Sequence, residues 1–166
     1  RFYRNIGARG NPKFAASENL MAGDAIAEVR IYCCIGSSPC FADFDGDGQL
    51  DLLSGSYDPG ECYWFRGLGK GHFGERQTLV DVSGKPILRK PDQKASWESF
   101  GSFPALVDWD HDGDADLLVG GFDGTAFLHL NEGTSTHPAL AAQKVVVHAA
   151  GEPLQLPKTR HAAIVV

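Results

Sequence analysis

The sequence lacks the features that would assign it to a membrane, nucleic-acid or simple catalytic class. No apolar run approaches the roughly 20 residues that a membrane-spanning helix requires, so we expect no membrane span. No basic stripe with interleaved aromatic residues is present, so we expect no nucleic-acid partner. There is no C-x-x-C zinc pattern and no G-x-S-x-G nucleophile motif. With these classes set aside, the acidic residues carry the clearest chemical signal.

Two nine-residue acidic loops share the pattern D-x-D-x-D-G-x-x-D. The first, DFDGDGQLD, runs from Asp43 to Asp51, and the second, DWDHDGDAD, runs from Asp108 to Asp116. Calcium binds about six to eight oxygen atoms in proteins, and carboxylates at this spacing would repel one another strongly without a cation. We therefore predict two Ca²⁺ sites, one per loop, with position 7 contributing a backbone carbonyl. The predicted ligands are Asp43, Asp45, Asp47, Gln49 and Asp51 in the first loop, and Asp108, Asp110, Asp112, Asp114 and Asp116 in the second.

The alternatives for these loops are plain surface turns or an EF-hand. Two copies with every ligand position filled argue against plain turns. An EF-hand needs a bidentate glutamate at its twelfth position, which here is Ser54 in the first loop and Val119 in the second. Short β-type runs with an internal glycine follow the loops, rather than amphipathic helices. We therefore predict that each loop connects two antiparallel strands.

The repeat extends well beyond the loops. An entering strand precedes each loop, and two further strands and a turn follow the strand that leaves it, with the last strand expected around Phe14, Phe73 and Leu140. Four short antiparallel strands in roughly 60 residues are the pattern of a β-propeller blade. The predicted fold is therefore all-β, a β-propeller segment of four-stranded antiparallel blades. Its parts would be the last two strands of one blade at 1–20, full blades at 39–80 and 104–148, and the first strand of a further blade at 160–166.

The loops, the Leu-Leu-x-Gly after each of them and the Asn-x-Gly turn resemble FG-GAP/VCBS-type repeats. These are the calcium-loop blades of integrin α-subunit propellers and of many secreted bacterial proteins. The resemblance covers nearly the whole chain, and it implies a ring with more blades than this chain holds. We expect the remaining blades to belong to a longer chain; the alternative is that several copies of this chain complete the ring.

The resemblance implies a non-catalytic role in binding, adhesion or scaffolding, with a protein or a glycan as the ligand. Loops without a twelfth ligand would need millimolar calcium, so we expect an extracellular, cell-surface or periplasmic protein. One alternative is the accessory or catalytic propeller of a secreted carbohydrate-active enzyme, such as a lyase or a dehydratase. Another is a lectin-like glycan-binding module. We assign no catalytic residue.

The cysteines leave two interpretations open. All four lie in the first half of the chain, at Cys33, Cys34, Cys40 and Cys62. Disulfides could tie the connector of residues 20–39 to the first blade, with Cys40 and Cys62 as the natural pair. The alternative is that the thiols are free and buried.

We interpret a glycine-rich segment and two tryptophans as structural, and one connector as a candidate recognition surface. GLGKGHFG at 67–74 lacks the spacing of a phosphate-binding loop, and we predict a hairpin turn there. Trp64 and Trp109 are expected to pack between blades. The connector 82–103 is our first choice for a variable recognition surface; its basic and aromatic residues are Lys85, Arg89, Lys90, Lys94 and Trp97.

Overall fold

The computed structural model describes residues 1–29, 37–88, 101–121, 124–142, 145–149 and 151–153 of the chain. These residues form β-strands and no helix, so the prediction of an all-β fold is confirmed. In particular, these ranges hold no helix with the length and apolarity to cross a membrane. The strands in chain order are β1 (Met21–Ala22), β2 (Ala25–Ile26), β3 (Ser38–Ala42), β4 (Asp51–Gly55), β5 (Cys62–Phe65), β6 (His72–Phe73), β7 (Gln77–Thr78), β8 (Ser102–Val107), β9 (Asp116–Gly121), β10 (Ala126–His129), β11 (Val145–Val146), β12 (His148–Ala149) and β13 (Glu152–Pro153).

Some predictions lie outside the described residues. They concern Cys33 and Cys34, most of the connector 82–103, and the strand expected at 160–166. Within the connector, Lys85 is described, and it lies in a turn where its backbone N–H donates to the carboxylate of Asp81 at 3.1 Å. The expected recognition surface therefore stays a prediction.

Two four-stranded antiparallel sheets follow one another along the chain. The first has the strand order β3-β4-β5-β7 and the second has the order β8-β9-β10-β11. Each acidic loop connects the first two strands of its sheet, as the sequence analysis predicted. The registers correspond, since Leu52 pairs with Phe65 in the first sheet and Leu117 pairs with His129 in the second. The two loops therefore occupy the same place in two copies of one unit.

The Asp-Leu-Leu that closes each loop supplies apolar side chains to both faces of its sheet, because successive residues of a strand point to opposite faces. In β4, Leu53 joins a core shared with the second sheet, whereas Leu52 joins a separate cluster on the other face. In β9, Leu117 joins the shared core and Leu118 lies in a third cluster. Both strands are buried along their whole length. They are therefore the strands around which each sheet packs.

One hydrophobic core joins the two sheets. Its buried members come from both of them and from the segments beside them: Phe44, Leu53, Cys62, Leu79, Ile87, Leu106, Leu117, Val119 and Leu140. Trp64 packs against this core, and its ring lies edge-on to Phe44 with ring centroids 5.5 Å apart. The packing predicted for Trp64 is thus confirmed. Since this burial removes apolar surface of both sheets from water, it stabilises the two units together.

The N-terminal segment covers the opposite face of the first sheet. Its apolar residues Leu20, Ala22, Ala27 and Val29 belong to the same cluster as Leu52, Tyr63, Phe65 and Phe73. Strand β1 also pairs antiparallel with β2 and parallel with β6. The first sheet is therefore packed on both faces, as a repeat within an array would be.

The return strand of each unit begins as an isolated bridge at the expected place. These bridges are Asn5 with Phe14, Gly67 with Phe73, and Asn131 with Leu140. Regular pairing of the fourth strand comes later, where β7 pairs with β5 and β11 pairs with β10. The hairpin turn predicted at 67–74 is confirmed, because the Leu68 N–H donates to the His72 carbonyl at 2.9 Å.

Two statements about individual side chains can be decided. Of the two interpretations left open for the cysteines, the free thiol holds for Cys40 and Cys62, which form no disulfide with each other. Cys40 lies in β3 and Cys62 in β5, with β4 between them, so about two strand spacings of roughly 4.8 Å separate their backbones, beyond the reach of a disulfide. Trp109 does not pack between the sheets: it is 46% exposed, on the second loop.

Gly55, the glycine of the first Leu-Leu-x-Gly, lies where the two sheets approach most closely at the end of β4. A Cβ at this position would overlap the carbonyl oxygen of Ser102 at the start of β8, and it would lie 3.0 Å from Cδ of Pro104. The carbonyl belongs to the backbone and cannot simply rotate away. The absence of a side chain at Gly55 therefore permits the contact between the sheets.

We expect Gly55→Ala to lower the free energy of unfolding by about 1–3 kcal/mol, since the added methyl group overpacks the contact between the sheets. Urea unfolding followed by tryptophan fluorescence measures the change. Gly74→Ala is the matched control, because its Cβ would meet no atom closer than 3.7 Å, and we expect a change within about 0.5 kcal/mol. Equal unfolding midpoints for the two variants would contradict this account of the contact.

Candidate metal centres

The first loop leaves β3 after Ala42 and enters β4 at Asp51. Carboxylate oxygens of Asp43, Asp45 and Asp51 lie within 4.8 Å of one another. Gly46 and Gly48 take φ angles of 64° and 83°, which glycine adopts without steric strain. These two reversals fold the loop so that its first, third and ninth positions meet.

The second loop repeats this backbone between β8 and β9. His111 and Gly113, at the positions of Gly46 and Gly48, take φ angles of 64° and 95°. Here the grouped carboxylates are those of Asp108, Asp110 and Asp112, again within 4.8 Å of one another. The structure thus brings three predicted ligands together in each loop, but not at the same three positions.

The ninth aspartate of each loop is a buried acceptor for two backbone N–H groups. Asp51 is fully buried, and its Oδ2 accepts from Phe44 at 2.9 Å while its Oδ1 accepts from Gly67 at 2.6 Å. Asp116 accepts in the same way from Trp109 at 2.8 Å and from Asn131 at 2.7 Å. Each carboxylate therefore fastens the second residue of its loop to the end of the third strand of its sheet. The spacing of the aspartates predicts these residues only as metal ligands and gives no sign of this role.

Aspartates earlier in each loop also accept backbone N–H groups, here from within the loop itself. In the first loop, Asp43 accepts from the N–H groups of Asp47 at 3.1 Å and Gly48 at 2.9 Å, and Asp47 accepts from Gln49 at 2.8 Å. In the second loop, Asp112 accepts from the N–H of Asp114 at 3.1 Å. The acceptor lone pairs left over on these oxygens are the ones that could face an ion.

Each loop also holds a buried carboxylate oxygen without a hydrogen-bond partner. These atoms are Oδ1 of Asp45 and Oδ1 of Asp114, on side chains whose residues are 8% and 9% exposed. A carboxylate removed from water without a partner is strongly disfavoured. Burial, followed by the charges of the neighbouring carboxylates Asp112 and Asp116, raises the pKa of Asp114. A cation in each loop would supply the missing partner, and a donor set made only of oxygen fits a hard ion such as Ca²⁺.

A basic side chain that the sequence analysis did not consider lies on the first loop. Arg66 Nε is 2.6 Å from Asp45 Oδ2, and Arg66 Nη2 is 3.0 Å from Asp47 Oδ2. These carboxylates, Asp45 first, raise the pKa of Arg66 further. Because Gly67 and Asn131 donate to equivalent aspartates, the residue in the second sheet that corresponds to Arg66 is Leu130. An alignment of the two units that matches Gly67 with Asn131 would have shown that the first unit has an arginine where the second has a leucine.

Three other predicted ligands, Asp47, Gln49 and Asp114, lie outside the two carboxylate groups. Asp47 is paired with Arg66 and lies outside the carboxylate group of its loop, and Gln49 is exposed at the end of that loop. Asp114, assigned through its backbone carbonyl, instead buries its side chain against the loop. The ligand roles of these residues stay predictions.

A comparison with protein families bears on the segment that holds both loops. Residues 43–119, from the start of the first loop into β9, match the family model of the FG-GAP-like repeat. This segment is therefore an FG-GAP-like repeat region, which confirms the resemblance inferred from the loops. No curated protein and no solved structure matches the chain.

We expect Asp116→Ala to destabilise the protein even in excess EDTA, because the buried N–H groups of Trp109 and Asn131 would lose their acceptor. The loss should be about 1–3 kcal/mol of unfolding free energy, measured by urea unfolding. Asp110→Ala removes an exposed carboxylate of the same loop, and in EDTA it should shift stability by no more than about 0.5 kcal/mol. If both variants unfolded at the same urea concentration in EDTA, Asp116 would not be the fastening residue.

Proposed function

From the FG-GAP-like repeat at residues 43–119, we propose that the chain is a calcium-stabilised segment of a β-propeller with a non-catalytic binding or adhesion role. The blades would be residues 39–80 and 104–148, with residues 1–20 and 160–166 contributing to the blades on either side. Either a longer chain or further copies would supply the rest of the ring. The protein would act outside the cytoplasm, where such repeats are typical and calcium is abundant.

The observation that carries the calcium proposal is the pair of buried, unpartnered carboxylate oxygens, one on Asp45 and one on Asp114. They occur in two loops of the same backbone shape, each between the first two strands of a four-stranded sheet. The two atoms lie at different positions, the third of the first loop and the seventh of the second, and Asp45 also pairs with Arg66 through its other oxygen. That each loop nevertheless leaves one buried carboxylate oxygen without a partner supports a ligand common to both units. Calcium suits it better than magnesium, since magnesium resists dehydration and demands strict octahedral geometry.

The propeller proposal is supported by how the sheets pack. Consecutive four-stranded antiparallel sheets share one core, and the outer face of the first sheet is covered by the N-terminal segment. The second sheet has a further apolar cluster on its other face, formed by Leu118, Ala126, Leu128 and Val147. Sheets with two apolar faces are the units of an array, in which each neighbour covers one face.

A structural role for the ion is supported by the use of the loop carboxylates. Asp51 and Asp116 already accept backbone N–H groups that hold the loops against their strands, and Asp43 accepts N–H groups within the first loop. An ion bound to the same side chains would neutralise their charge and limit the motion of these loops. It would therefore stabilise the geometry of each blade, and recognition would use other surfaces.

We expect millimolar Ca²⁺ to raise the melting temperature of the chain by about 5–10 °C over EDTA, because an ion that binds only the folded state stabilises it. Mg²⁺ at the same concentration should give a much smaller shift. Differential scanning calorimetry with and without each ion measures the effect.

The matched variant is Asp45→Asn combined with Asp110→Asn, which removes one loop charge per site and keeps the side-chain shape. We expect it to lose most of the calcium response while remaining folded in EDTA. An unchanged melting temperature of the unsubstituted chain on adding Ca²⁺ would refute the proposed calcium role.

A further inference from the structure

The two loops differ in the residue that follows the third strand of the sheet, next to the loop. The first loop carries four aspartates and Arg66, and the second carries five aspartates and has Leu130 at the corresponding position. We infer that Arg66 is a built-in counter-cation that Ca²⁺ must displace, so that the two loops of one chain bind calcium with different affinities, the second more tightly. This inference rests on the proposed calcium role and concerns its control.

The contacts of Arg66 occupy oxygens that the ion would need. Its guanidinium bonds Asp45 through Nε at 2.6 Å and Asp47 through Nη2 at 3.0 Å. These are the third and fifth positions of the loop, both predicted ligands. Arg66 leaves Oδ1 of Asp45 open but holds Oδ2 of both side chains, and Oδ1 of Asp47 already accepts from the Gln49 N–H. An ion that takes Asp47 as a ligand must therefore displace Arg66 from its Oδ2.

The carboxylate groups of the two loops show the effect of this pairing. In the second loop, the fifth-position carboxylate of Asp112 lies with those of Asp108 and Asp110. In the first loop, the fifth-position Asp47 is outside the group, and its Oδ2 faces Arg66 instead. The ninth position differs as well, since Asp51 belongs to the first group and Asp116 lies outside the second. Of the two differences, the one at the fifth position falls on the side chain that Arg66 holds.

No comparable cation reaches the second loop among the residues that the structure describes. Its aspartates form no ion pair there, and Leu130 packs against the apolar cluster around Leu128. Within the described residues, the charges of this loop are therefore left unbalanced, whereas those of the first loop are partly balanced by Arg66.

Two consequences follow for the response to calcium. As calcium falls, the first loop would lose its ion before the second, because its arginine returns to the carboxylates. The first loop would nevertheless lose less stability, because Arg66 replaces part of the lost charge. The exposed position of the Arg66 side chain, 49% accessible, allows it to swing away without unfolding the sheet.

The test measures each loop by itself. Asp110→Asn with Asp112→Asn disables the second loop, and Asp43→Asn with Asp45→Asn disables the first; isothermal titration with CaCl₂ then gives one affinity per background. We expect the first loop to bind several-fold more weakly than the second. Adding Arg66→Leu, which copies the residue of the second sheet, or Arg66→Gln, which keeps much of the length without the charge, should tighten the first loop by about tenfold.

A second readout separates a counter-cation from an ordinary surface ion pair. In EDTA, Arg66→Leu and Arg66→Gln should lower the melting temperature, because the loop carboxylates lose their only balancing charge among the described contacts. In saturating Ca²⁺ the melting temperature of both variants should equal or exceed that of the unsubstituted chain. Arg4→Leu is the control: it also removes one positive charge, from an exposed pair with Glu18 at 3.5 Å, and should change neither quantity.

The experiment distinguishes failure of the Arg66 role from failure of the proposed calcium role. If the second loop binds calcium but the Arg66 variants leave the affinity of the first loop within about twofold, the counter-cation role is overturned and the calcium role stands. Equal loss of stability with and without Ca²⁺ would likewise reduce Arg66 to a structural ion pair. If neither loop binds Ca²⁺ at millimolar concentration, both proposals fail together.

Discussion

The structure depends on the buried carboxylate at the ninth position of each loop. Asp51 and Asp116 each accept one N–H from the second residue of the loop and one from the end of the third strand of the sheet. One side chain thereby fixes the loop against two strands and replaces the partners that those N–H groups would lose on burial. The leucines that follow then enter the two faces of the central strand in register. The loop and the core are consequently specified by the same three residues, Asp-Leu-Leu.

This fastening has an electrostatic consequence. It draws a charged side chain into the protein beneath a loop that already carries three or four further aspartates, and one of these in each loop is left buried with an unpartnered oxygen. Burial, and then like charges this close, disfavour the ionised form of a carboxylate, and both raise the pKa of Asp114. The backbone-fastening aspartate and the negative charge that the proposed calcium ion would balance therefore arise from one arrangement. In the first loop Arg66 balances part of that charge, and no described residue does so in the second.

Much of this could be predicted from the sequence because it is local. The spacing of the aspartates predicts that carboxylates converge within each loop, though not which three, the following Leu-Leu-x-Gly predicts a strand, and the repetition predicts two equivalent sheets. What could not be predicted depends on contacts between distant segments. Arg66 reaches Asp45 and Asp47 only through the pairing of β4 with β5. The free thiols of Cys40 and Cys62 reflect strand order, and the exposure of Trp109 reflects which way a loop residue points.

The position of the first loop links it to the contact between the two units. Gly46, in the first loop, approaches the second sheet so closely that a Cβ there would lie 2.8 Å from the carbonyl oxygen of Ser135. Ser135 lies in the hairpin that follows the third strand of that sheet. A change in the first loop would therefore be felt across the junction and not only within its own sheet. If Arg66 maintains the first loop when calcium is low, it also maintains this junction, whereas the second loop, where no described residue takes this part, would lose more stability once its ion leaves.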